Sequence, residues 1–209
     1  MVFQNVNAWQ IAFFIAVPII VLGIAFFFVF LPIRRSYIKK RFRDYYYHTI
    51  RRISVNEDYY LINRFLFRID DSSVGNIDHI IFGEKFIYII SDKYYDGNIK
   101  GKQTDKSLIL IDKRGKKCYI DNPFLESAKL LTSLALNTDL DSDIMIGITV
   151  VNNGVNIGVK PEGKQFYAIQ IKKLPQLIKA IESRPIDPLN EKQLARAVQG
   201  FDKINRRRD

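Results

Sequence analysis

The sequence predicts an α/β protein: an N-terminal transmembrane helix followed by a mixed β-sheet core flanked by helices. Two observations predict it. Residues 11–33 carry no charged side chain. After residue 53, short apolar runs bounded by Gly, Asn, Asp and Pro alternate with helical spacings, the pattern of a mixed sheet with helices on its faces.

Ile11 to Ile33 is rich in Phe, Ile and Val. A helix rises 1.5 Å per residue, so about 20 apolar residues span a hydrocarbon core of roughly 30 Å. Trp9 stands at one end, where an indole favours the headgroup region. Pro18 and Gly23 lie inside the run, which membrane helices tolerate. The run is expected to stay in the protein. Residues 1–10 lack the basic stretch of a signal peptide, the apolar run is too long, and Leu31-Pro32-Ile33-Arg34 is not a small-residue cleavage site. A buried helix of a soluble domain would carry a polar stripe, and this run has none.

The net charge of +10 is concentrated next to this run. Residues 34–52 hold eight basic side chains (Arg34, Arg35, Lys39, Lys40, Arg41, Arg43, Arg51 and Arg52) against Asp44 alone, a net +7. Residues 201–209 add +2, which leaves residues 53–200 at +1. Basic residues on the C-terminal flank alone predict a single-pass cell-membrane protein, with the N-terminus outside and residues 34–209 in the cytoplasm. Arg34, Arg35, Lys39, Lys40, Arg41 and Arg43 are the candidate membrane-surface residues. Each such charge adds about 1 kcal/mol of attraction near anionic lipid headgroups. The near-neutral remainder does not have the charge of a basic nucleic-acid-binding domain. The lone Cys118 excludes an internal disulfide, and with only His48 and His79 to serve as a base it reads as an apolar filler.

Four segments follow: residues 1–33, a short extracytoplasmic N-terminus and transmembrane helix; 34–53, a basic juxtamembrane helix; 54–184, the α/β domain; and 185–209, a C-terminal amphipathic helix and basic tail. Within the α/β domain, Tyr59 to Ile69 reads as a strand and residues 71–76 as a turn. Ile77–Phe82 and Phe86–Ser91 are strands joined by a hairpin at Gly83-Glu84-Lys85, the second almost wholly apolar and therefore central. Leu108–Asp112 and Lys117–Ile120 flank Arg114-Gly115 as another hairpin. Asn122 caps and Pro123 opens a helix running to about Leu136. Ile144–Val151 is an apolar strand, and Val155–Val159 and Phe166–Ile171 are shorter ones. Leu174–Glu182 is a short helix. Asn190 with Gln193 begins the last helix as a capping box.

The candidate chemistry lies in Gly75-Asn76-Ile77-Asp78-His79-Ile80 and in Ile89-Ile90-Ser91-Asp92-Lys93-Tyr94-Tyr95-Asp96-Gly97. An acid sits on one strand of a hairpin, and a polar cluster ends the next. Alternate residues of a strand share a face, so Ser91 and Lys93 point one way and Asp92 the other.

These motifs resemble the nuclease-related domain (NERD) family of the restriction-endonuclease-like PD-(D/E)XK superfamily. Ile77-Asp78-His79 matches the family's first acid. Ser91-Asp92-Lys93 falls on its Glu-x-Lys, Tyr95-Asp96-Gly97 on its turn, and Asn122-Pro123-Phe124-Leu125-Glu126 on its Asn-Pro-x-x-Gln helix start. The likeness covers roughly residues 45–155 and implies a restriction-endonuclease-like core. By position it makes Asp78 the first metal ligand and Lys93 the catalytic lysine of a Mg²⁺-dependent nuclease acting on nucleic acid. Two carboxylates would hold the ion, which lowers the pKa of an attacking water, and the lysine would steady the developing charge. The sequence departs where the second carboxylate belongs: residue 91 is Ser. Asp92 or Glu126, the latter in place of the family's Gln, are the displaced acids on offer as catalytic or metal-binding groups. Two functions remain open: a catalytically degenerate binding or scaffolding module at the membrane, and a tethered nuclease.

Overall fold

A computed structural model of the chain describes residues 8–206 apart from Asp71 and Pro161. The side chains of Ala8, Gln10, Ile11, Arg35 and Ile38 lie outside the description, as do the expected extracytoplasmic residues 1–7 and the end of the basic tail. The chain divides at Phe42–Arg43 into two units.

The first unit is helical. Helix α1 (Ala8–Ala25) contains Pro18 and passes through a π-helical turn, Phe26–Phe30, into α2 (Leu31–Lys40). The stretch Ala12–Arg34 has a mean hydropathy of 3.0 and buries none of its residues, so it is long and apolar enough to cross a membrane. Phe26 and Phe30 stack along the π turn at 5.2 Å between ring centroids. The basic stretch was expected to form one helix over residues 34–53. It is instead interrupted at Arg41 (φ −121°, ψ 31°), and α3 (Phe42–Asn56) begins beyond it. No Gly or Pro stands at the break, so residue type does not mark it.

The second unit holds two sheets where the sequence suggested one. The first has five strands in the order β1-β2-β3-β7-β9. They are β1 (Tyr60–Arg68), β2 (Val74–Phe82), β3 (Ile87–Lys93), β7 (Met145–Val151) and β9 (Phe166–Gln170). Pairing is antiparallel from β1 to β3 and parallel from β3 through β7 to β9. The second sheet runs β6-β5-β4-β8, built from β4 (Gly97–Lys100), β5 (Ser107–Asp112), β6 (Lys117–Asp121) and the two-residue β8 (Ile157–Gly158). Strand β4 begins at Gly97, which the sequence reading assigned to a turn. Gly97 has no room for a side chain, because a Cβ there would meet the carbonyl of Ile111.

Helix α4 (Pro123–Thr138) starts as expected, with the Asn122 side chain accepting from the amide of Phe124. The Asn122 amide group also donates to the carbonyls of Gln103 and Asp105, at 2.8 and 2.6 Å. It thereby ties the loop before β5 to the first turn of α4. The α4 face of the first sheet carries Ile80, Phe82, Ile87 and Ile89 against Leu130, Leu131 and Leu134. On the other side, α5 (Leu174–Glu182) ends on the β2–β3 hairpin. Glu182 accepts from the Tyr88 hydroxyl (2.6 Å) and the Lys85 amide (3.0 Å). Burial pushes the Glu182 carboxyl up from its ordinary value, and these two hydrogen bonds partly offset it.

Helix α6 (Glu191–Ile204) has the expected capping box at Asn190 and Gln193. It belongs to the main core: Phe201 is fully buried and packs its ring on Phe65 and Phe82, at 5.5 and 5.4 Å between centroids. Truncating Phe201 to Ala removes that plug, and large-to-small core changes of this kind cost about 3–5 kcal/mol. Urea unfolding of the variant, followed by tryptophan-independent circular dichroism, is expected to show a loss in this range.

Candidate nuclease-like site

The site is built where two strands part. Strand β2 pairs with β3 only as far as His79↔Ile90, whereas β7 accompanies β3 to its end. The amide of Asp92 is therefore left on the vacated edge, and the Asp78 carboxylate takes the place of a ladder carbonyl, accepting from it at 2.8 Å. A buried amide without an acceptor costs about 1–3 kcal/mol, which gives Asp78 a structural task.

Strand alternation distributes the rest. Ile87 and Ile89 face α4, and so does Lys93, whose Nζ meets the Glu126 carboxylate at 2.8 and 2.9 Å. Both partners of this ion pair are partly exposed, at 32% and 43%. Asp92 faces α3 and is 4% exposed. Its Oδ2 meets His79 Nε2 at 3.0 Å, and His79 Nδ1 meets Asn63 Oδ1 at 2.6 Å. The His79 ring stacks on Tyr47 of α3, 6.4 Å away and 22° from parallel. Tyr46, from the same helix, donates its hydroxyl to the Lys93 carbonyl at 3.3 Å and holds the strand end in place.

The two His79 contacts need two hydrogens, and a neutral imidazole brings one. The second sits on the ring or on Asp92. Burial pushes the Asp92 carboxyl up from its ordinary value; the bond to His79 opposes this, and Asp78 adds to it. Asp92 Oδ1 is the one buried side-chain oxygen or nitrogen without a partner among the described residues.

Asp78, His79 and Asp92 line a pocket of about 240 Å³ with Arg43, Asp44, Tyr47, Asn63 and Arg64. Sequence reasoning missed Asn63, Arg64 and Tyr47. The signal for the first two is a polar pair interrupting an otherwise apolar strand. Arg64 adopts φ +55°, and the register passes from Asn63↔His79 to Phe65↔Ile77 without pairing Arg64 with Asp78. Left-handed backbone costs a non-glycine residue about 1–2 kcal/mol.

The family model of the nuclease-related domain matches residues 40–151. The chain belongs to the NERD family. No curated protein and no solved structure matches it. The match runs from the end of α2 through β7, so β9, α5 and α6 lie beyond it.

In this NERD domain the positions expected to work together are divided. Asp78 and Asp92 are engaged on the α3 side, whereas Lys93 and Glu126 are engaged with each other on the α4 side. Among the described residues, no three His, Cys, Asp or Glu side chains gather as a metal-binding group. Mg²⁺ takes near-octahedral oxygen ligation, and the donors present do not fit it. Glu126 is committed to Lys93, Ser91 supplies no charge, and Asp78 has one oxygen on a backbone amide.

The two halves differ in what they do for the fold. Asp78→Ala is expected to lower stability by about 1–3 kcal/mol, the cost of an unsatisfied buried amide. Lys93→Ala is expected to lower it by less than about 1 kcal/mol, as for other half-exposed ion pairs. Chemical denaturation of both variants beside the parent measures the contrast; equal losses would contradict the assignment.

Proposed function

We propose that this protein is a membrane-tethered NERD domain whose restriction-endonuclease-like, PD-(D/E)XK-type site binds or scaffolds and does not cut. The observation that carries the reading is the division of the nuclease-like residues by β3. Ser91 stands where the second metal carboxylate belongs, and Lys93 is neutralised by Glu126 on α4. A lysine paired with a carboxylate offers a phosphate less net charge than a lone lysine would. Asp78 and Asp92, the remaining acids, are engaged with the backbone and with His79.

The tether is supported by the apolar helix Ala12–Arg34 and by the basic stretch that follows it. Arg34, Lys39, Lys40, Arg41 and Arg43, with Arg35 beside them in the sequence, suit anionic lipid headgroups on the cytoplasmic side of a cell membrane. Residues 53–200 net +1, so long-range attraction of nucleic acid would fall to the basic stretch before them, and affinity at the site itself would rest on contacts within it.

Two experiments test the reading. Full-length protein in detergent, given single- and double-stranded DNA and RNA with Mg²⁺ or Mn²⁺, is expected to release no more product than Lys93→Ala. Metal-dependent cleavage abolished by Lys93→Ala would sink the non-cleaving reading and restore a Mg²⁺ nuclease using Asp78, Lys93 and a displaced acid. For topology, protease added to intact cells is expected to spare residues 54–209 and to digest them after lysis. Digestion from outside would reverse the orientation.

A further inference from the structure

We propose that strand β6 is the contact between two copies of this chain, which join antiparallel, edge to edge, about Tyr119. The inference stands apart from the nuclease-like site and holds whether or not that site cuts.

The backbone sets the register. Strand β6 (Lys117–Asp121) ends the second sheet and pairs with β5 along one edge. The hairpin shows which of its groups point inward. The amide of Asp112 donates to the carbonyl of Lys116 at 3.0 Å. Hydrogen-bonded positions alternate along an antiparallel pair. Lys116, Cys118 and Ile120 therefore bond to β5, and Lys117, Tyr119 and Asp121 turn their amides and carbonyls outward. The neighbouring strand keeps the same phase: Ile99 of β4, opposite Leu110, donates away from β5 to Asn156 at 2.9 Å. Among the described residues, no strand pairs with the outer edge of β6. Such an edge is a template for another chain. A two-fold axis at Tyr119 matches every outward group: Tyr119 pairs with the second copy's Tyr119, and Lys117 with Asp121 in both directions.

The side chains fit the same register. Alternate residues share a face. Lys117, Tyr119 and Asp121 thus lie together, away from the cluster that holds Leu108, Leu110 and Ile120. Tyr119 is 79% exposed. Lys117 and Asp121 are exposed as well, and among the described residues neither has an ion-pair partner. About the Tyr119 axis, each Lys117 stands opposite an Asp121, and the two tyrosine rings meet; both are favourable cross-strand pairs. The other two-fold registers lose this match. An axis at Cys118 sets Lys117 against Tyr119 and Asp121 against Gly115. An axis at Ile120 sets Lys117 against Pro123, which has no amide to donate. A five-residue edge is a small interface, so the dimer is weak in dilute solution.

Cysteine cross-linking in cells that co-express the full-length chain under two different tags tests the register. In Cys118→Ser/Tyr119→Cys the new thiols face each other at a hydrogen-bonded pair, about 5.5 Å between Cα atoms and within disulfide reach. Mild oxidation with copper phenanthroline is expected to give a dimer carrying both tags. Cys118 of the parent lies on the same exposed edge but diagonal to its counterpart, roughly 7–8 Å away. It is expected to cross-link about fivefold less or weaker still. Adding Lys117→Asp or Asp121→Lys to the cross-linking variant sets like charges opposite each other, and each is expected to lower the yield about fivefold. Adding both is expected to restore it, since within its own sheet Lys117 opposes Ile111 and Asp121 opposes Ser107, and neither pair carries a second charge. No dimer from the Tyr119→Cys variant, equal cross-linking by the parent, or single charge changes that cross-link as well as the pair would each overturn the proposal.

Discussion

The interaction on which the rest depends is the hydrogen bond from the Asp92 amide to the Asp78 carboxylate, at 2.8 Å. Strand β3 is buried along its length and must satisfy its backbone on both edges. Its parallel neighbour β7 does so over all seven residues, but β2 leaves after Ile90. An ordinary strand would end there. Because Asp78 supplies the missing acceptor, β3 continues through Ser91, Asp92 and Lys93, and its alternation continues with it. Lys93 goes to α4 and Asp92 to α3. One structural carboxylate thus fixes both the length of the central strand and the separation of the nuclease-like residues onto two faces.

The same place reorganises the neighbouring strand. Phe65 pairs with Ile77, and Phe82 lies five residues further along β2. Strict alternation would put these two phenylalanines on opposite faces. Both nevertheless pack on Phe201. Alternation changes on both strands between Asn63↔His79 and Phe65↔Ile77, where Arg64 and Asp78 stand opposite each other unpaired and Arg64 takes its left-handed conformation. The strain of about 1–2 kcal/mol is smaller than the gain from burying Phe65 and Phe67, at about 1.5–3 kcal/mol each. The core therefore favours the kink, and the kink leaves Asn63 on the His79 side while placing Arg64 at the pocket mouth.

These features explain which parts of the molecule were legible in the sequence. Local rules read well: the apolar run of residues 11–33, the Asn122-Pro123 helix start, the Asn190–Gln193 capping box and the hairpin at Gly83-Glu84-Lys85 all follow from residue types at fixed spacing. The opposition of Asp92 to Lys93 also followed, from the period of two. What did not follow depends on non-local pairing. Strand β4 is short, and its edge is set by the backbone of β5 at Gly97, so its composition resembles a turn. The break at Arg41 falls where no Gly or Pro stands and the apolar pattern looks continuous. Arg64 carries no sequence signal for a left-handed conformation, since the residues usually found there are Gly, Asn and Asp. The lysine's partner was legible only as a departure: Glu126 occupies a position where the family has Gln, and the structure turns that extra charge toward Lys93.

The charge is spread unevenly along the chain. Residues 53–200 net +1, whereas the folded unit Arg43–Asp209, which takes in α3 and the basic end, nets +5, a charge screened beyond about 8 Å at physiological salt. Residues 34–52 hold +7 of the chain's charge and follow the apolar run that is, among the described residues, long and apolar enough to cross a membrane. Arg43 and Asp44 belong to that stretch and also line the pocket of Asp78 and Asp92, so a change of charge at either position acts on the stretch and on the pocket together.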